Sequence, residues 1–125
     1  MTQDAKRILL LEDDRFLRRA CEASLLQRGF LIKTATDGEE GLRMALNEPF
    51  DLILLDLLMP KKSGIEVLAA LRADSSRCDI PVIILSNSSR EEDKRRAVEL
   101  GAIGYYVKAN LSLKALGDEI GRLLS

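Results

Sequence analysis

Acids, a hydroxyl and a lysine directly follow four of the short apolar runs in this sequence. Glu12–Asp14 follows the first run, Asp56 follows the third, and Ser86 and Lys108 follow the last two. Acids that lie close together raise one another's pKa unless a cation joins them, and hard oxygen ligands suit Mg²⁺. If the runs are strands that end at one edge of a sheet, the pattern predicts a magnesium site beside a hydroxyl and a lysine.

Five apolar runs predict the strands that would bring these side chains together. The third and fourth runs are apolar without alternation, which is typical of strands buried on both faces of a parallel sheet, so we expect both to be central. The five runs are Ile8–Leu11, Phe30–Ala35, Leu52–Leu55, Val82–Leu85 and Tyr105–Val107.

Helical patterns occupy the segments between and after these runs. Asp37 with Glu40 and Ser63 with Glu66 match helix-capping pairs, in which a glutamate stands three residues after the capping oxygen. The second and third helices begin at these pairs and carry the apolar positions of Leu42–Leu46 and Ile65–Leu71. The other predicted helices are Arg15–Arg28, Arg90–Leu100 after Ser88 or Ser89, and a stripe of Leu113, Leu116, Ile120 and Leu123 after Asn110 or Ser112.

Strict alternation of strands and helices implies right-handed crossovers and a parallel sheet with helices on both faces. In such sheets the functional crevice lies beyond the carboxyl ends of the strands. The fourth helix is almost entirely charged, so we expect it to be thinly packed. We expect Asp14 to cap the first helix, Cys21 to be a core residue and Cys78 to lie in a loop.

Composition excludes several classes of function. The chain has 125 residues, of which 46% are hydrophobic and 31% charged, so we expect one compact domain over residues 1–125. Nineteen basic and twenty acidic residues give no basic excess for nucleic-acid binding. The chain has no histidine, which excludes Ser-His-Asp triads and histidine metal sites. Two cysteines without a CxxC motif, and no long apolar segment or signal peptide, favour a cytoplasmic protein that neither spans a membrane nor is secreted.

Together these residues resemble the receiver domain of response regulators in bacterial two-component systems, of the chemotaxis-regulator type, over essentially the whole chain. The resemblance implies an α/β flavodoxin-like (βα)5 doubly wound sandwich, with a five-stranded parallel sheet in the order 2-1-3-4-5. The motifs that carry it are Ile8–Asp14, Asp51–Pro60, Ser63-Gly64, Pro81–Ser86 and Gly101–Lys108.

By position, the resemblance makes Asp56 the phosphoacceptor of a two-component system or phosphorelay. It would take a phosphoryl group from a phosphohistidine on a sensor histidine kinase or a histidine phosphotransfer protein. Lys108 and Ser86 would each contact a phosphoryl oxygen. The Ser86 hydroxyl would move inward, Tyr105 would fill the vacated space, and Tyr106 on the other face of the strand would be a packing residue. The surface of the fourth helix, fifth strand and fifth helix would then change.

The resemblance also implies a Mg²⁺ cofactor. Asp13 and Asp56 would bind it directly, Glu12 through a water, and Leu58 through its backbone carbonyl. Such a domain would act on a downstream protein target, bind no nucleic acid directly, not insert into a membrane and be a monomer or weak dimer. It would promote its own phosphorylation and dephosphorylation without turning over a separate substrate.

Two positions depart from the pattern of this family. Ala109 follows Lys108 where the family usually has a cis proline; a cis bond without proline costs about 3–4 kcal/mol, so we expect a trans bond or a strained loop. Leu58, two residues after Asp56, and Ser88, two residues after Ser86, stand where the family tunes hydrolysis of the acyl phosphate. Because an apolar side chain cannot orient an attacking water, we expect a long-lived phosphoryl state.

Other functions fit the residues less well. Haloacid-dehalogenase-type phosphatases need a second acid two residues after the nucleophile, where Leu58 stands. A flavodoxin-type electron carrier needs a hydroxyl- and glycine-rich phosphate loop where Glu12–Asp14 stands. A phosphorylation-independent adaptor with this fold is the alternative to a phosphorylated receiver. Both a stand-alone receiver and a receiver cut from a longer protein stay open, and we favour the first.

Overall fold

The computed structural model describes residues 5–125, in which five strands alternate with five α-helices. The strands are β1 (Arg7–Leu11), β2 (Leu31–Ala35), β3 (Leu52–Asp56), β4 (Val82–Ser86) and β5 (Gly104–Val107). The helices are α1 (Arg15–Gln27), α2 (Gly38–Asn47), α3 (Gly64–Ala73), α4 (Glu91–Glu99) and α5 (Leu113–Leu123). A short 3₁₀ turn at Lys108–Asn110 joins β5 to α5. None of the described helices is both long and apolar enough to cross a membrane.

The sheet is parallel throughout and has the strand order β2-β1-β3-β4-β5, which confirms the predicted topology. Every residue of β3 and β4 is buried, as their uninterrupted apolar sequences predict. The register pairs Leu11 with Leu55 and Asp56 with Leu85. The ends of β1, β3 and β4 are therefore level, and the side chains that follow them emerge at one edge.

Alternate residues of the central strands belong to two hydrophobic layers, one on each face of the sheet. Leu9, Leu11, Ile53 and Leu55 pack under α2, α3 and α4, whereas Ile8, Leu10, Leu52 and Leu54 pack under α1 and α5. Cys21 lies in the second layer and is 1% exposed, which confirms its core position. Fully burying one leucine or isoleucine contributes about 1.5–3 kcal/mol, so these layers hold the sheet edge in place.

The helices differ in how firmly they are attached. Of the residues in α4, all of which the structure describes, Ala97 alone is buried, so the predicted thin packing is confirmed. The predicted stripe of α5 is wrong at its end. Leu123 is 45% exposed, and Leu124, four residues after the buried Ile120, packs against the core in its place.

The first three helices begin at the residues that the sequence predicts. Asp14 accepts hydrogen bonds from the first turn of α1, and Ser63 forms a reciprocal capping box with Glu66. Asp37 accepts a hydrogen bond from the Glu40 backbone nitrogen, but the Glu40 carboxylate accepts from the residue before Asp37, so this pair is not reciprocal.

Of the last two helices, α5 has a side-chain N-cap and α4 does not. Ser112 caps α5, so of the two predicted positions before this helix, Asn110 and Ser112, the second is confirmed. α4 follows Ser88 and Ser89, as predicted, but it begins at Glu91, one residue later than the predicted Arg90. Arg90 occupies the N-cap position, and its side chain makes no capping hydrogen bond.

Gly64 fixes how closely α3 approaches the end of β3. A Cβ atom at this position would lie 2.2 Å from the backbone oxygen of Asp56 and 2.7 Å from the Cα of Leu57. The Gly64 N–H donates to the Leu57 carbonyl at 2.8 Å. The backbone that carries Asp56 therefore leaves no room for a side chain here.

We predict that Gly64→Ala lowers the free energy of unfolding by about 1–3 kcal/mol, because the added methyl group must displace backbone. The matched control is Gly121→Ala in α5, where an added Cβ meets nothing within 4 Å. That control should be neutral or stabilising, by up to about 1 kcal/mol. Urea denaturation measures both, and equal effects of the two substitutions would contradict the close-packing argument.

Candidate functional site

Three acids meet at the carboxyl edge of the sheet. Carboxylate oxygens of Glu12, Asp13 and Asp56, one from each residue, all lie within 4.8 Å of one another. Glu12 is fully buried and Asp56 is 3% exposed, whereas Asp13 is open to solvent. The level ends of β1 and β3 produce this arrangement, since Glu12 directly follows β1 and Asp56 is the last residue of β3.

Lys108 joins the two buried acids. Its Nζ lies 2.9 Å from Asp56 Oδ2 and 2.8 and 3.0 Å from the two carboxylate oxygens of Glu12. The Lys108 side chain is only 12% exposed. Its bond to Ala109 is trans, because residues 5–125 contain no cis peptide bond. The 3₁₀ turn that starts at Lys108 thus brings the ammonium group to the acids without the proline usual at this position.

Backbone groups also donate hydrogen bonds to the same two carboxylates. Asp56 Oδ1 accepts a hydrogen bond from the Leu58 backbone nitrogen at 3.2 Å, and Glu12 Oε2 accepts one from the Asp14 backbone nitrogen at 3.0 Å. The Leu58 side chain points into solvent and is 69% exposed. Asp14 itself caps α1, as its position predicts.

Burial controls the protonation of this cluster. It raises the pKa of Glu12 from its ordinary value of 4.5 to about 7, against the opposing effects of the hydrogen bonds from Lys108 and from the Asp14 backbone. Burial also opposes the charge on Lys108, but the hydrogen bonds with Glu12 and Asp56 prevail and raise its pKa.

The donor set fits a hard divalent cation. All candidate ligand atoms are carboxylate oxygens, and the carboxylates outnumber the single ammonium group. Glu12 Oε1 is buried and accepts no hydrogen bond of acceptable geometry from the described residues, although Lys108 Nζ is 2.8 Å away. A buried carboxylate oxygen with unused acceptor capacity is what a bound cation or its water ligand would satisfy.

Ser86 and Tyr105, on the neighbouring strands β4 and β5, are connected through Ser88. Ser86 is fully buried at the end of β4, and its Oγ accepts a hydrogen bond from the Ser88 backbone nitrogen at 3.0 Å. Tyr105 is half-buried on the α2–α4 side of the sheet, and its hydroxyl donates to the Ser88 carbonyl at 2.9 Å. Tyr106 packs on the opposite side and donates to Glu119. The side-chain role of Ser88 is the part of this arrangement that sequence reasoning missed.

Comparison with known proteins agrees with this geometry. Residues 8–118 match the response regulator receiver domain family. The chain is 41% identical over 121 residues to a gliding motility regulatory protein of Myxococcus xanthus, a match that covers 95% of this chain and 16% of that protein. The curated relatives are longer proteins, and the chain spans 16% to 46% of their length.

Two solved structures are similar over almost the whole chain. The first is the phosphorylated cyanobacterial phytochrome response regulator RcpA, with a TM-score of 0.81 and 32% identity, covering 96% of this chain and 91% of that one. The second is the receiver domain of a sensor histidine kinase from Pseudomonas aeruginosa with a magnesium ion coordinated in its active-site cleft. Its TM-score is 0.86 and its identity 25%, covering 98% of this chain and 100% of that one.

The raised pKa of Glu12 predicts a pH dependence of stability. Between about pH 4.5 and 7 the folded chain holds a proton on Glu12 that the unfolded chain releases, so this group's contribution to stability falls as pH rises through that range. Glu12→Gln cannot release this proton. We therefore expect the free energy of unfolding of the variant to increase relative to that of the unaltered protein between pH 5 and about 7.

Urea denaturation in EDTA at several pH values measures this difference without bound metal. The control is Glu48→Gln, because a hydrogen bond from Lys33 lowers the pKa of the half-buried Glu48, and its titration lies below the same range. The difference in the free energy of unfolding between Glu48→Gln and the unaltered protein should therefore stay constant between pH 5 and 7. A constant difference for Glu12→Gln as well would contradict the assignment.

Proposed function

Since the chain belongs to the response regulator receiver domain family, we propose that Asp56 is its phosphoacceptor in a two-component system or phosphorelay. The observation that carries this proposal is the burial of the Asp56 carboxylate at the end of the central strand, 2.9 Å from the Lys108 ammonium group and beside two further acids. The phosphorylated state of the similar cyanobacterial regulator supports it.

In this proposal the donor is a phosphohistidine, and it lies on another protein because the chain has no histidine of its own. A carboxylate oxygen of Asp56 forms a bond to phosphorus as the bond from the histidine nitrogen to phosphorus breaks. That nitrogen keeps the bonding electron pair and takes up a proton. The donor belongs to a sensor histidine kinase or a histidine phosphotransfer protein, and the similar receiver domain from a sensor histidine kinase supports this class of partner.

Lys108 and Ser86 stabilise the transferred group. The Lys108 ammonium is already directed at the Asp56 carboxylate, so it reaches a phosphoryl oxygen with little reorganisation. The Ser86 oxygen accepts from a backbone N–H, which leaves its own O–H free to donate to another phosphoryl oxygen. Movement of Ser86 and Tyr105 toward the site then alters the surface formed by α4, β5 and α5.

The acids hold a Mg²⁺ ion in this proposal. Asp13 and Asp56 bind it directly, Glu12 binds through a water, and Leu58 contributes its backbone carbonyl. When bound, Mg²⁺ neutralises part of the charge on the phosphoryl oxygens. The unused Glu12 Oε1 and the magnesium ion in the similar kinase receiver domain support this set of ligands.

The receiver is a signalling module, and its output is a contact with another protein. It turns over no separate substrate, because the phosphoryl group stays on Asp56 until it is hydrolysed or passed on. The formal charge of −1 supports a protein target over direct contact with nucleic acid. The exposed apolar side chain of Leu58 supports slow hydrolysis, since it cannot direct a water at the acyl phosphate.

We predict that acetyl phosphate with Mg²⁺ adds one phosphoryl group to the protein and that Asp56→Asn abolishes this gain. Intact mass spectrometry measures it, with a magnesium-free sample in parallel. Asp51→Asn is the matched control, because Asp51 immediately precedes the same strand at its opposite end and accepts a hydrogen bond from the Arg7 backbone. Asp51→Asn should be phosphorylated normally.

No phosphoryl gain by the folded, unaltered protein would contradict the proposal. The phosphorylation-independent adaptor would then be the better reading. A gain that survives in Asp56→Asn would place the acceptor elsewhere.

We predict that Asp13→Asn weakens Mg²⁺ binding by at least about tenfold, since loss of a second-shell partner already costs about 10–100-fold in metal affinity. Isothermal titration calorimetry measures it. Asp14→Asn is the control, because it removes the same charge from the adjacent residue, and asparagine caps a helix about as well as aspartate. Equal losses in both variants would show a general charge effect and would contradict direct ligation by Asp13.

A further inference from the structure

Every polar group of Ser88 has a hydrogen-bond partner, and the partners belong to three different elements. Its N–H donates to Ser86 Oγ at the end of β4, and its carbonyl accepts from the Tyr105 hydroxyl of β5. Its hydroxyl donates to Asp93 Oδ2 in the first turn of α4 at 2.5 Å and accepts from the Arg90 backbone nitrogen at 3.1 Å. Ser88 is therefore the residue at which β4, β5 and α4 meet.

The hydrogen bond from the Ser88 hydroxyl to Asp93 is short. A hydroxyl that donates to an ionised carboxylate forms a bond of about 2.5–2.7 Å, roughly twice as strong as one between neutral groups. Asp93 is the third residue of α4 and reaches back to a serine five residues earlier. The arrangement resembles a capping box shifted by two residues, which explains how α4 begins although its N-cap residue supplies no side-chain cap.

The remainder of α4 has few other attachments to the domain. Ala97 is its one buried residue among those described, and the carbonyls at its end accept hydrogen bonds from Arg72 of α3. Those bonds run from Arg72 Nε to Leu100 at 2.7 Å and from Arg72 Nη2 to Gly101 at 3.1 Å. The helix is thus fixed at its C-terminal end by Arg72 and at its N-terminal end by Ser88.

We propose that the Ser88–Asp93 hydrogen bond is the link through which a displacement of Ser86 reaches the first turn of α4. Ser88 is a positioning residue in this scheme, because it acts through Ser86 and touches neither the acids nor the transferred group. When the Ser86 hydroxyl turns toward a phosphoryl group on Asp56, the Ser88 N–H follows it, and Asp93 carries the movement into α4. The inference rests on the proposed function, since it presumes that phosphorylation moves Ser86.

Hydrogen exchange with mass spectrometry tests this link in the full chain. The variants Ser88→Ala and Asp93→Ala remove either side of the bond. Their matched controls are Ser89→Ala, an exposed neighbouring serine, and Glu91→Ala, which removes the same charge from the same helical turn at a side chain that is 92% exposed. Ser88→Thr keeps the hydroxyl and should restore the behaviour of the unaltered protein.

Each protein is measured with and without acetyl phosphate and Mg²⁺, and intact mass gives the phosphorylated fraction of the same samples. Without phosphorylation, we expect the amides of Glu91–Arg95 to exchange about tenfold faster or more in Ser88→Ala and Asp93→Ala than in their controls, from the loss of a hydrogen bond to a charged group. With phosphorylation, we expect exchange in α4 to change in the unaltered protein and the controls, and not in these two variants.

A response of α4 in phosphorylated Ser88→Ala equal to that of the unaltered protein would overturn the link. Unchanged exchange of Glu91–Arg95 in the unphosphorylated variants would overturn it as well. The second result needs no phosphorylation, so it separates failure of the link from failure of the proposed function, which would show as a missing phosphoryl gain.

Discussion

The ammonium group of Lys108 is the charge on which the site depends, because it lies between two buried carboxylates that would otherwise repel each other. Glu12 and Asp56 are both almost inaccessible to solvent, and water cannot screen them. Removing one partner of a buried ion pair costs about 3–5 kcal/mol, because it leaves an uncompensated charge. The same ammonium group stabilises the acids in this structure, and in the proposed function it stabilises the phosphoryl group on Asp56.

The strand order is what makes this interaction possible. The acids come from β1 and β3 and the lysine from the end of β5, so residues 96 positions apart in the chain must meet at one edge. Parallel pairing with level ends brings them there, and two hydrophobic layers hold the sheet. The loops at this edge are free to carry polar groups because the layers below them supply the stability.

The sequence predicts the strands, the parallel sheet and the helix starts at Asp14 and Ser63, because these follow from local patterns and from simple rules of topology, whereas the strand order comes from the resemblance to receiver domains. Two features depend on contacts that no local pattern encodes. Leu124 replaces Leu123 in the core, since the positions three and four residues after Ile120 lie on the same face of the helix and only packing decides between them. The first turn of α4 is held by a hydrogen bond from the Ser88 hydroxyl to Asp93, and not by the side chain of the N-cap residue Arg90. Such contacts are decided by the packing of the loop that follows β4.

A crystal structure of the protein with Mg²⁺ and beryllium fluoride, a mimic of the phosphoryl group, tests the central claim most directly. The account predicts beryllium fluoride on the Asp56 carboxylate, with Lys108 Nζ and the Ser86 hydroxyl each at hydrogen-bonding distance from a fluorine atom. It would be contradicted if the mimic bound elsewhere, or if Lys108 remained paired with Glu12 and made no contact with the mimic.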